Sequence, residues 1–382
     1  MINRTILGID SLENIVLSHA NVGLVCNHTS YDGSFRYLID IVRKEGGDIK
    51  VVFTPEHGLY GAAYAGERVL SYHDEDYDVQ VYSLYGNNRV PPIDLLKSLD
   101  FVIYDLQDIG VRWYTYISTL YYVVTSISKA GIPLLVLDRP NPLNGINIEG
   151  PILEKEFQSF VGIAPIPVRY GLTVGELAKY YSDVLGLGGD IKVLRMKGWR
   201  RTFFWTDTSL YWIPPSPNIP TWETALIYVG SCLLEGTNIS EGRGTSSPFF
   251  VLGAPWIKPR ELSRELNKLN IDNLYFRPIY FRPYYSKYRD ELCGGVYIHI
   301  LNKNKNGFFN SIVKVLKKIR ELYPKFFEWK KWNDVYSIDR LAGTDKVRKI
   351  IEGDLEIEKY EIEWRKENKS FQEKIDKVKL YE

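Results

Sequence analysis

The fold is decided by a short stretch near residue 50, Ile49-Lys50-Val51-Val52-Phe53-Thr54-Pro55-Glu56-His57-Gly58. A run dominated by β-branched and aromatic residues, which favour strands, ends abruptly in a turn that contains proline, two ionisable side chains and glycine. The same pattern of an apolar run followed by a polar cluster occurs three more times: Val22–Cys26 before Asn27–Ser30, Phe101–Tyr104 before Asp105–Gly110, and Pro133–Leu137 before Asp138–Pro142. The sequence therefore predicts four strands, each with a polar loop at its carboxyl end.

Amphipathic segments separate these strands. Phe35–Arg43 and Tyr116–Ala130 have apolar residues at helical spacing, and Thr173–Glu176 has the pattern of a capping box that starts a helix running to about Leu185. Strands that alternate with helices predict a parallel sheet covered on both faces, with all strand carboxyl ends along one edge. Ligands bind beyond such an edge, so we expect the four polar clusters to converge on one site.

The later part of the chain has a different pattern of predicted elements. A predicted helix over Trp222–Leu233 leads into a Gly-rich polar cluster, Glu235–Thr245, and shorter strands such as Gly295–Leu301 follow. A length of 382 residues suits two domains. We place the boundary near residues 245–255, which gives an α/β domain over 1–248 and a smaller α/β domain over 249–382.

Composition excludes several function classes. The formal net charge of +1 gives no electrostatic reason to expect nucleic acid or an anionic membrane surface as a partner. No stretch approaches the ~20 apolar residues that span a bilayer, and the N-terminus has no apolar signal segment, so we expect a cytoplasmic protein. Abundant Tyr, Ile, Lys and Glu with only 2 Met indicate a thermophilic source.

Motifs for metals, cofactors and a nucleophilic serine are absent from the sequence. Cys26, Cys232 and Cys293 are far apart, and no HExxH pattern, phosphate-binding loop or GxSxG elbow occurs. The Gly-rich stretch Gly186–Asp190 follows a predicted helix rather than a strand, so it does not match a dinucleotide-binding turn. We therefore predict no metal and no cofactor.

The polar clusters offer carboxylates for proton transfer, each with a structural alternative. Glu56 suits a general acid at a strand end, or it caps the next element beside a satisfied His57. Asp105 and Asp108 can act as a base, bind a metal, or pair with Arg112.

Two arginine-containing loops are ambiguous in the same way. Asp138–Pro142 presents a charged pair or forms a local salt bridge, and Glu241–Gly244 presents the Arg243 fork to an anion or forms an ordinary turn. Carboxylates together with 28 Tyr and 9 Trp suit a small carbohydrate ligand, and glycoside hydrolysis uses two carboxyl groups.

The order of the motifs along the chain resembles that of the exo-β-N-acetylmuramidase family, long known only as a domain of unknown function. The resemblance covers roughly residues 20 to 382 and rests on these segments: Asn27–Ser30, Pro55–Gly58, Ala65–Glu67, Tyr82–Gly86, Asp105–Arg112, Asp138–Pro142, Glu149–Pro151, Pro214–Asn218, Glu235–Asn238, Glu241–Thr245 and Cys293–Gly295.

The resemblance implies a Rossmann-like N-terminal domain, a smaller α/β C-terminal domain and a cleft between them. It also implies an exo-acting, cell-wall-recycling glycosidase that releases N-acetylmuramic acid from the non-reducing end of peptidoglycan fragments. Glu56 is then the leading catalytic carboxylate and general acid, with Asp105, Asp108 or Glu241 as its partner. Arg243 or Arg112 would bind the lactyl carboxylate of the sugar. The substrate contacts expected in this cleft are His28, His57, Arg112, Tyr116, Arg139, Asn141, Asn218, Asn238, Glu241 and Arg243.

Three alternatives stay open at this point. The protein could bind a sugar or peptidoglycan fragment without cleaving it, or it could act on a different N-acetylated sugar. A third possibility is metal-assisted hydrolysis by Asp105, Asp108 and Asp138. Binding seen by calorimetry without any turnover would identify a binding protein. Preferential cleavage of another substrate in a panel of aryl N-acetylhexosaminides would identify a different sugar. Loss of activity with EDTA would identify metal-assisted hydrolysis.

Overall fold

A computed structural model describes residues 4–15 and 17–382 of the chain. Within them, a seven-stranded sheet is formed by β1 (Asn21–Cys26), β2 (Asp48–Thr54), β3 (Tyr72–Asp74), β4 (Val79–Ser83), β5 (Phe101–Asp105), β6 (Leu134–Leu137) and β7 (Ile191–Leu194). Their order across the sheet is β3-β4-β2-β1-β5-β6-β7. All neighbouring pairs of this sheet are parallel except β3 and β4, which form an antiparallel pair at one edge.

The sheet has an apolar core on each face because successive side chains of its central strands point to opposite sides. In β1, Leu24 packs into one core and Val25 into the other, and in β5 Ile103 and Tyr104 divide in the same way. Each of these side chains is almost fully buried. The sandwiched, mostly parallel sheet predicted from the sequence is confirmed.

The helices are α1 (Leu38–Lys44), α2 (Ile93–Leu96), α3 (Tyr116–Ala130), α4 (Val174–Lys179), α5 (Trp222–Ser231), α6 (Pro259–Asn267), α7 (Phe308–Leu322), α8 (Ser337–Ala342), α9 (Lys346–Glu352) and α10 (Ile357–Ile375). No helix in the described part of the chain is long and apolar enough to cross a membrane.

Several element boundaries differ from the sequence predictions. Helix α1 begins three residues later than predicted, because Phe35 has a left-handed φ of 62° and the Asp32 carboxylate accepts hydrogen bonds from the Ser34 and Arg36 amides. The predicted capping box is present at α4. The Thr173 hydroxyl accepts a hydrogen bond from the Glu176 amide, and the Glu176 carboxylate accepts one from the Thr173 amide. This helix continues as a π-helix over Tyr180–Val184.

The second part of the chain contributes a smaller α/β unit. An antiparallel sheet in the order β8-β10-β9 is formed by β8 (Val251–Ala254), β9 (Leu274–Phe281) and β10 (Cys293–Ile300). A short hairpin joins β11 (Lys331–Trp332) to β12 (Val335–Tyr336). One core cluster runs without a break from the large sheet into this unit, so the two are packed together along a shared apolar surface.

Candidate functional site

A cavity of about 970 Å³ lies where loops at the carboxyl edge of the large sheet face the second α/β unit. The lining is mixed, with carboxylates, cations and many aromatic rings. Its walls include Glu56, His57, Tyr64, Tyr85, Arg89, Trp113, Tyr114, Thr115, Phe160, Asn218, Tyr228, Glu235, Glu241, Arg243, Phe249, Tyr285, Lys287, Lys330 and Trp332. A cleft of this size and composition can hold a sugar unit with part of its neighbour.

Glu56 lines the cavity and lies on the turn that follows β2. His57 and Gly58 both have a φ of 74°, so the chain reverses sharply there, which is why a glycine follows the histidine. Each Glu56 carboxylate oxygen accepts a hydrogen bond: Oε1 from the Gly66 amide at 3.0 Å, and Oε2 from the Thr115 hydroxyl at 2.6 Å. These bonds hold the carboxyl group in one orientation.

Tyr85 and His57 complete the surroundings of Glu56. Tyr85 follows β4, and burial, together with the neighbouring Glu56 carboxylate, raises the pKa of its phenol. The His57 ring hydrogen-bonds through Nδ1 to the Ala63 carbonyl oxygen at 2.7 Å, which fastens the loop that carries Gly66. The loops after β2 and β4 therefore form the N-terminal wall of the cavity.

The opposite wall carries a compact charge cluster formed by Glu235, Glu241, Arg243 and Lys287. Arg243 lies 2.6 Å from Glu235 and 3.3 Å from Glu241, and Lys287 Nζ lies 2.8 Å from Glu241 Oε2. Burial of Glu241 opposes its ionisation, but the two cations outweigh that effect and hold its pKa below the usual value. Glu241 is therefore an ionised carboxylate at neutral pH.

Aromatic rings form the remaining surface. Tyr64 and Tyr285 face each other with ring centroids 5.8 Å apart, and Tyr228 packs edge-on against Phe249 at 4.6 Å. The rim is open to solvent at Tyr64 and Trp332, which are 62% and 66% exposed. Such rings provide apolar faces on which sugar rings can stack.

Of the residues predicted from the sequence, the structure brings Glu56, His57, Asn218, Glu241 and Arg243 into the cavity wall. Asn218 accepts a hydrogen bond from the Tyr285 hydroxyl across the cleft at 2.5 Å.

Asp105 and Asp108 are not placed at this cavity, which corrects their expected position. The Asp105 carboxylate pairs with Arg139, whose Nε and Nη2 donate at 2.5 and 2.7 Å, and both side chains are buried. Asp108 accepts hydrogen bonds from the Tyr170 hydroxyl and the Gly110 amide, and burial raises its pKa to about 6. Arg139 is likewise engaged inside the sheet edge and not in the cavity wall.

Arg112 is also a structural residue rather than a cleft residue. Its guanidinium is fully buried and donates to four carbonyl oxygens, those of Pro151, Ile166, Leu341 and Ala342. With no carboxylate partner among the described residues, burial lowers its pKa to about 9. It ties the N-terminal part of the chain to α8, so neither the predicted substrate contact nor the alternative pairing with Asp105 or Asp108 is found.

The remaining predicted contacts hold loops together and do not line the cavity. His28 hydrogen-bonds to the Pro214 carbonyl oxygen at 2.8 Å, and Tyr116 donates to the Pro215 carbonyl oxygen at 2.7 Å. Asn141 donates to the Leu172 carbonyl oxygen and accepts from the Leu143 amide. Asn238 bridges to the backbone of Phe326 and Glu328. Their polar atoms are used to shape the loops.

Several cavity residues were missed by sequence reasoning. Tyr85 and Glu235 belong to motifs that carried the family resemblance, Tyr82–Gly86 and Glu235–Asn238, but no role was assigned to them. Thr115, Arg89 and Lys287 stand in segments without a motif, so no local signal pointed to them. Among the described residues, no group of three or more His, Cys, Asp or Glu side chains could hold a metal ion.

Comparison with known proteins agrees with this architecture. The family model for the N-terminal part of the exo-β-N-acetylmuramidase NamZ matches residues 22–223, and the model for its C-terminal part matches residues 226–381. The chain belongs to the NamZ family. The predicted domain boundary between residues 248 and 249 stays a prediction. The boundary between the two family models falls some 25 residues earlier.

Individual relatives of the NamZ family match over nearly the whole chain. The chain is 41% identical over 367 residues to the peptidoglycan β-N-acetylmuramidase NamZ of Bacillus subtilis (strain 168), covering 96% of this chain and 88% of that one. Two crystal structures of DUF1343 family proteins from Bacteroides fragilis NCTC 9343 have TM-scores of 0.92 and 0.75, with 33% and 27% identity and 99% coverage of both chains. The fold and family predicted from the sequence are confirmed.

Proposed function

We propose that this protein is an exo-acting glycoside hydrolase that releases terminal N-acetylmuramic acid from the non-reducing end of peptidoglycan fragments. Membership of the NamZ family and 41% identity to a peptidoglycan β-N-acetylmuramidase support the reaction class. The cavity supports it independently, because it combines oriented carboxyl groups with aromatic faces.

The observation that carries the mechanism is the contrast between the carboxyl groups of the cavity. Glu235 and Glu241 both lie at ion-pair distance from cations, whereas no lysine or arginine of the described residues lies at that distance from Glu56. A carboxylate held by cations is a poor proton donor at neutral pH. Glu56 is therefore the group best suited to protonate a glycosidic oxygen.

Glu241 is the proposed partner. Of the three partner candidates named from the sequence, it alone lines the cavity. As an ionised carboxylate it can accept a proton from water or attack the anomeric carbon. In the net reaction the Glu56 proton goes to the leaving oxygen, the bond from C1 to that oxygen breaks, and water supplies hydroxyl to C1 and restores the proton.

The other cavity side chains have binding roles in this proposal. His57 and Asn218 offer polar groups to the hydroxyls and the acetamido group of the sugar. Arg243 keeps Glu241 ionised while lying in the same wall, and the Tyr64 and Tyr285 rings form a platform at the open end.

The test compares two variants, Glu56→Gln and Glu241→Gln, on a chromogenic β-N-acetylmuramide. We expect kcat to fall roughly 10²- to 10⁴-fold in each, because each variant removes one proton-transfer or nucleophilic group. Glu75→Gln, at an exposed glutamate near the β3–β4 turn, is the matched control and should turn over like the wild type. Circular dichroism should show all three variants folded.

Each contrary result has a defined meaning. Turnover near the wild-type rate in Glu56→Gln would contradict its role as proton donor. Tight binding of the sugar by the wild type without any turnover would instead indicate a binding protein, and cleavage of another N-acetylhexosaminide in preference to the muramide would correct the sugar.

Three further expectations from the sequence stay predictions. A cytoplasmic location is tested by fractionation of the source cells, and a role in wall-sugar recycling by the fate of labelled N-acetylmuramic acid in cells lacking this protein. A thermophilic source predicts a melting temperature well above that of ordinary mesophilic domains.

A further inference from the structure

Arg89 is a cation of the cavity that has no anionic partner. It follows β4 in the loop that also carries Tyr85, its side chain is partly buried, and it lines the cavity. Among the described residues no carboxylate lies within ion-pair distance of it, in contrast to Arg243, which is flanked by Glu235 and Glu241. Its charge is therefore available to a ligand.

The guanidinium of Arg89 is held in place without using the edge that would bind an anion. Its Cζ lies 4.2 Å from the centroid of the Phe160 ring, and Nε donates to the Gly86 carbonyl oxygen at 3.0 Å. Phe160 is in turn stacked on Tyr122, with the two ring planes 14° apart. The two terminal nitrogens carry no hydrogen bond to the described protein, and this planar pair matches the two oxygens of a carboxylate.

Arg89 lies on the same side of the cavity as the proposed proton donor. The Tyr85 ring lies 5.8 Å from the Phe160 ring on which the Arg89 guanidinium rests, and the neighbouring Glu56 carboxylate raises the pKa of the Tyr85 phenol. In this arrangement a ligand carboxylate on Arg89 can belong to the same sugar whose glycosidic bond reaches Glu56.

We propose that Arg89 binds the lactyl carboxylate of the terminal N-acetylmuramic acid and so selects acidic over neutral N-acetylated sugars. This inference rests on the proposed function and replaces the two arginines named from the sequence. Arg243 is already paired with two carboxylates, and Arg112 is buried against carbonyl oxygens.

Lys330 is the competing candidate within the cavity. Its ammonium has no ion pair among the described residues either, but it lies near the charge cluster of Lys287, Glu235 and Glu241. Its side chain is solvent-exposed, and a lysine ammonium provides a hydrated point charge rather than a fixed fork. Arg89 is favoured because it is oriented by Phe160 and close to Tyr85.

The experiment uses two aryl glycosides that differ only in charge: the β-N-acetylmuramide with a free lactyl carboxylate, and its lactyl methyl ester. We expect kcat/KM of the wild type to be roughly 10- to 100-fold higher for the acid than for the ester. Charge-assisted hydrogen bonds in a partly buried site contribute a factor of this size. Arg89→Gln should lose that factor on the acid and stay within about twofold of the wild type on the ester. Arg365→Gln, at an exposed arginine of α10, is the charge control and should behave as the wild type on both.

Two results would overturn the assignment. One is an equal loss on acid and ester in Arg89→Gln, which would indicate a structural role. The other is a preference that survives in Arg89→Gln and disappears in Lys330→Gln. Arg89→Lys guards against misfolding of the glutamine variant, because it keeps the charge and should retain part of the preference for the acid.

A binding measurement separates this inference from the proposed function. Calorimetry with free N-acetylmuramic acid and its methyl ester needs no turnover. If the wild type cleaves neither glycoside yet binds the acid more tightly, and Arg89→Gln removes that difference, then the hydrolase proposal fails while the role of Arg89 stands. Equal affinity of the wild type for acid and ester would overturn the role of Arg89 whether or not the glycosides are cleaved.

Discussion

At the scale of single residues, the buried charges of this protein divide into those that face the cavity and those that hold loops. Arg112, Arg139 and Arg169 are buried and paired with carbonyl or carboxylate oxygens of neighbouring segments. Ion pairs taken out of water contribute little net stability when intact, but removing one partner leaves an uncompensated charge. In a sequence, a charged residue next to a predicted buried strand resembles a residue of a functional site. Only the folded structure shows whether its charge is used to hold a loop.

The Asp105–Arg139 pair gives a prediction that separates these two classes. Asp105→Asn should lower the free energy of unfolding by roughly 3–5 kcal/mol, since Arg139 would keep its charge without a counter-ion. Chemical denaturation measures this, with Asp48→Asn as control, because the Asp48–Lys50 pair is exposed and should change stability by less than about 1 kcal/mol. A folded Asp105→Asn protein should retain kcat, and a large loss of kcat without loss of stability would return Asp105 to the catalytic site.

At the scale of elements, the carboxyl edge of the sheet is only partly open. The loop after β2 leads Glu56 into the cavity, whereas the loop after β6, Asp138–Pro142, is itself buried. Proline fixes the path of that loop, and the buried Asp105 carboxylate is paired with Arg139 of the same loop. The polar residues at the ends of β5 and β6 therefore serve the loop that covers them.

The start of α4 shows how an element boundary can depend on a distant strand. Thr173 Oγ1 accepts a hydrogen bond from the Glu176 amide at 3.2 Å. It also donates a hydrogen bond at 2.8 Å to Oδ2 of Asp138, the residue that follows β6. Thr173→Ala should therefore lower the free energy of unfolding by about 2–3 kcal/mol, the sum of a helix cap and a buried hydrogen bond.

Thr221→Ala is the matched comparison for this helix cap. Thr221 caps α5 at the protein surface, where its hydroxyl accepts from the Thr224 amide and contacts the Thr224 hydroxyl, so its loss should cost only about 1 kcal/mol. Equal losses in the two variants, measured by urea denaturation, would show that the bond from Thr173 to Asp138 contributes nothing.

At the scale of the whole molecule, the last residues return to the large sheet. The Tyr381 hydroxyl donates to Asp138 Oδ2 at 2.5 Å, the Leu380 amide donates to Glu176 Oε1 at 2.8 Å, and the Arg201 amide donates to the Glu382 carbonyl oxygen at 2.9 Å. Arg112 makes a second tie between the two parts of the chain through the carbonyl oxygens at the end of α8. Both ties connect the C-terminal part of the chain to the N-terminal part.

Asp138 links this arrangement to pH. Burial raises the pKa of Asp138 to about 7, well above its value in an unfolded chain. Between about pH 4 and 7 the folded state therefore binds a proton that the unfolded state has lost, and the stabilising contribution of this group falls as pH rises through that window. Asp138→Asn cannot titrate, so its free energy of unfolding should lose this decline.

The quantity to measure is the difference in free energy of unfolding between the wild type and Asp138→Asn as a function of pH. Denaturation curves of wild type and Asp138→Asn at several pH values should give slopes that differ by up to ~1.4 kcal/mol per pH unit between pH 4 and 7. Parallel curves would mean that Asp138 has an ordinary pKa in the folded protein. Comparing the two proteins cancels the contributions of the other carboxyl groups.

Local sequence was sufficient for the strands and for the turn at Glu56. Strand propensity, helical spacing and the capping pattern at Thr173 are properties of neighbouring residues, so β1, β2, β5, β6 and α3 were predicted close to their observed bounds. The hairpin of β3 and β4 was not predicted, because Tyr72–Asp74 is short and mostly exposed and contains no continuous apolar run. Its place in the sheet comes from the pairing of β4 with β2.

The composition of the cavity was decided by tertiary structure alone. A carboxylate at a strand end faces solvent or a covering loop depending on segments far along the chain, and Glu56 and Asp105 have opposite outcomes for that reason. Lys287 meets Glu241 because the fold brings together residues that are far apart in the sequence. The sequence by itself determined the sheet and the place of Glu56 upon it, since both follow from short-range preferences. The partners of Glu56 and the free charge of Arg89 required the folded chain, because charge pairing depends on distances between residues far apart in sequence.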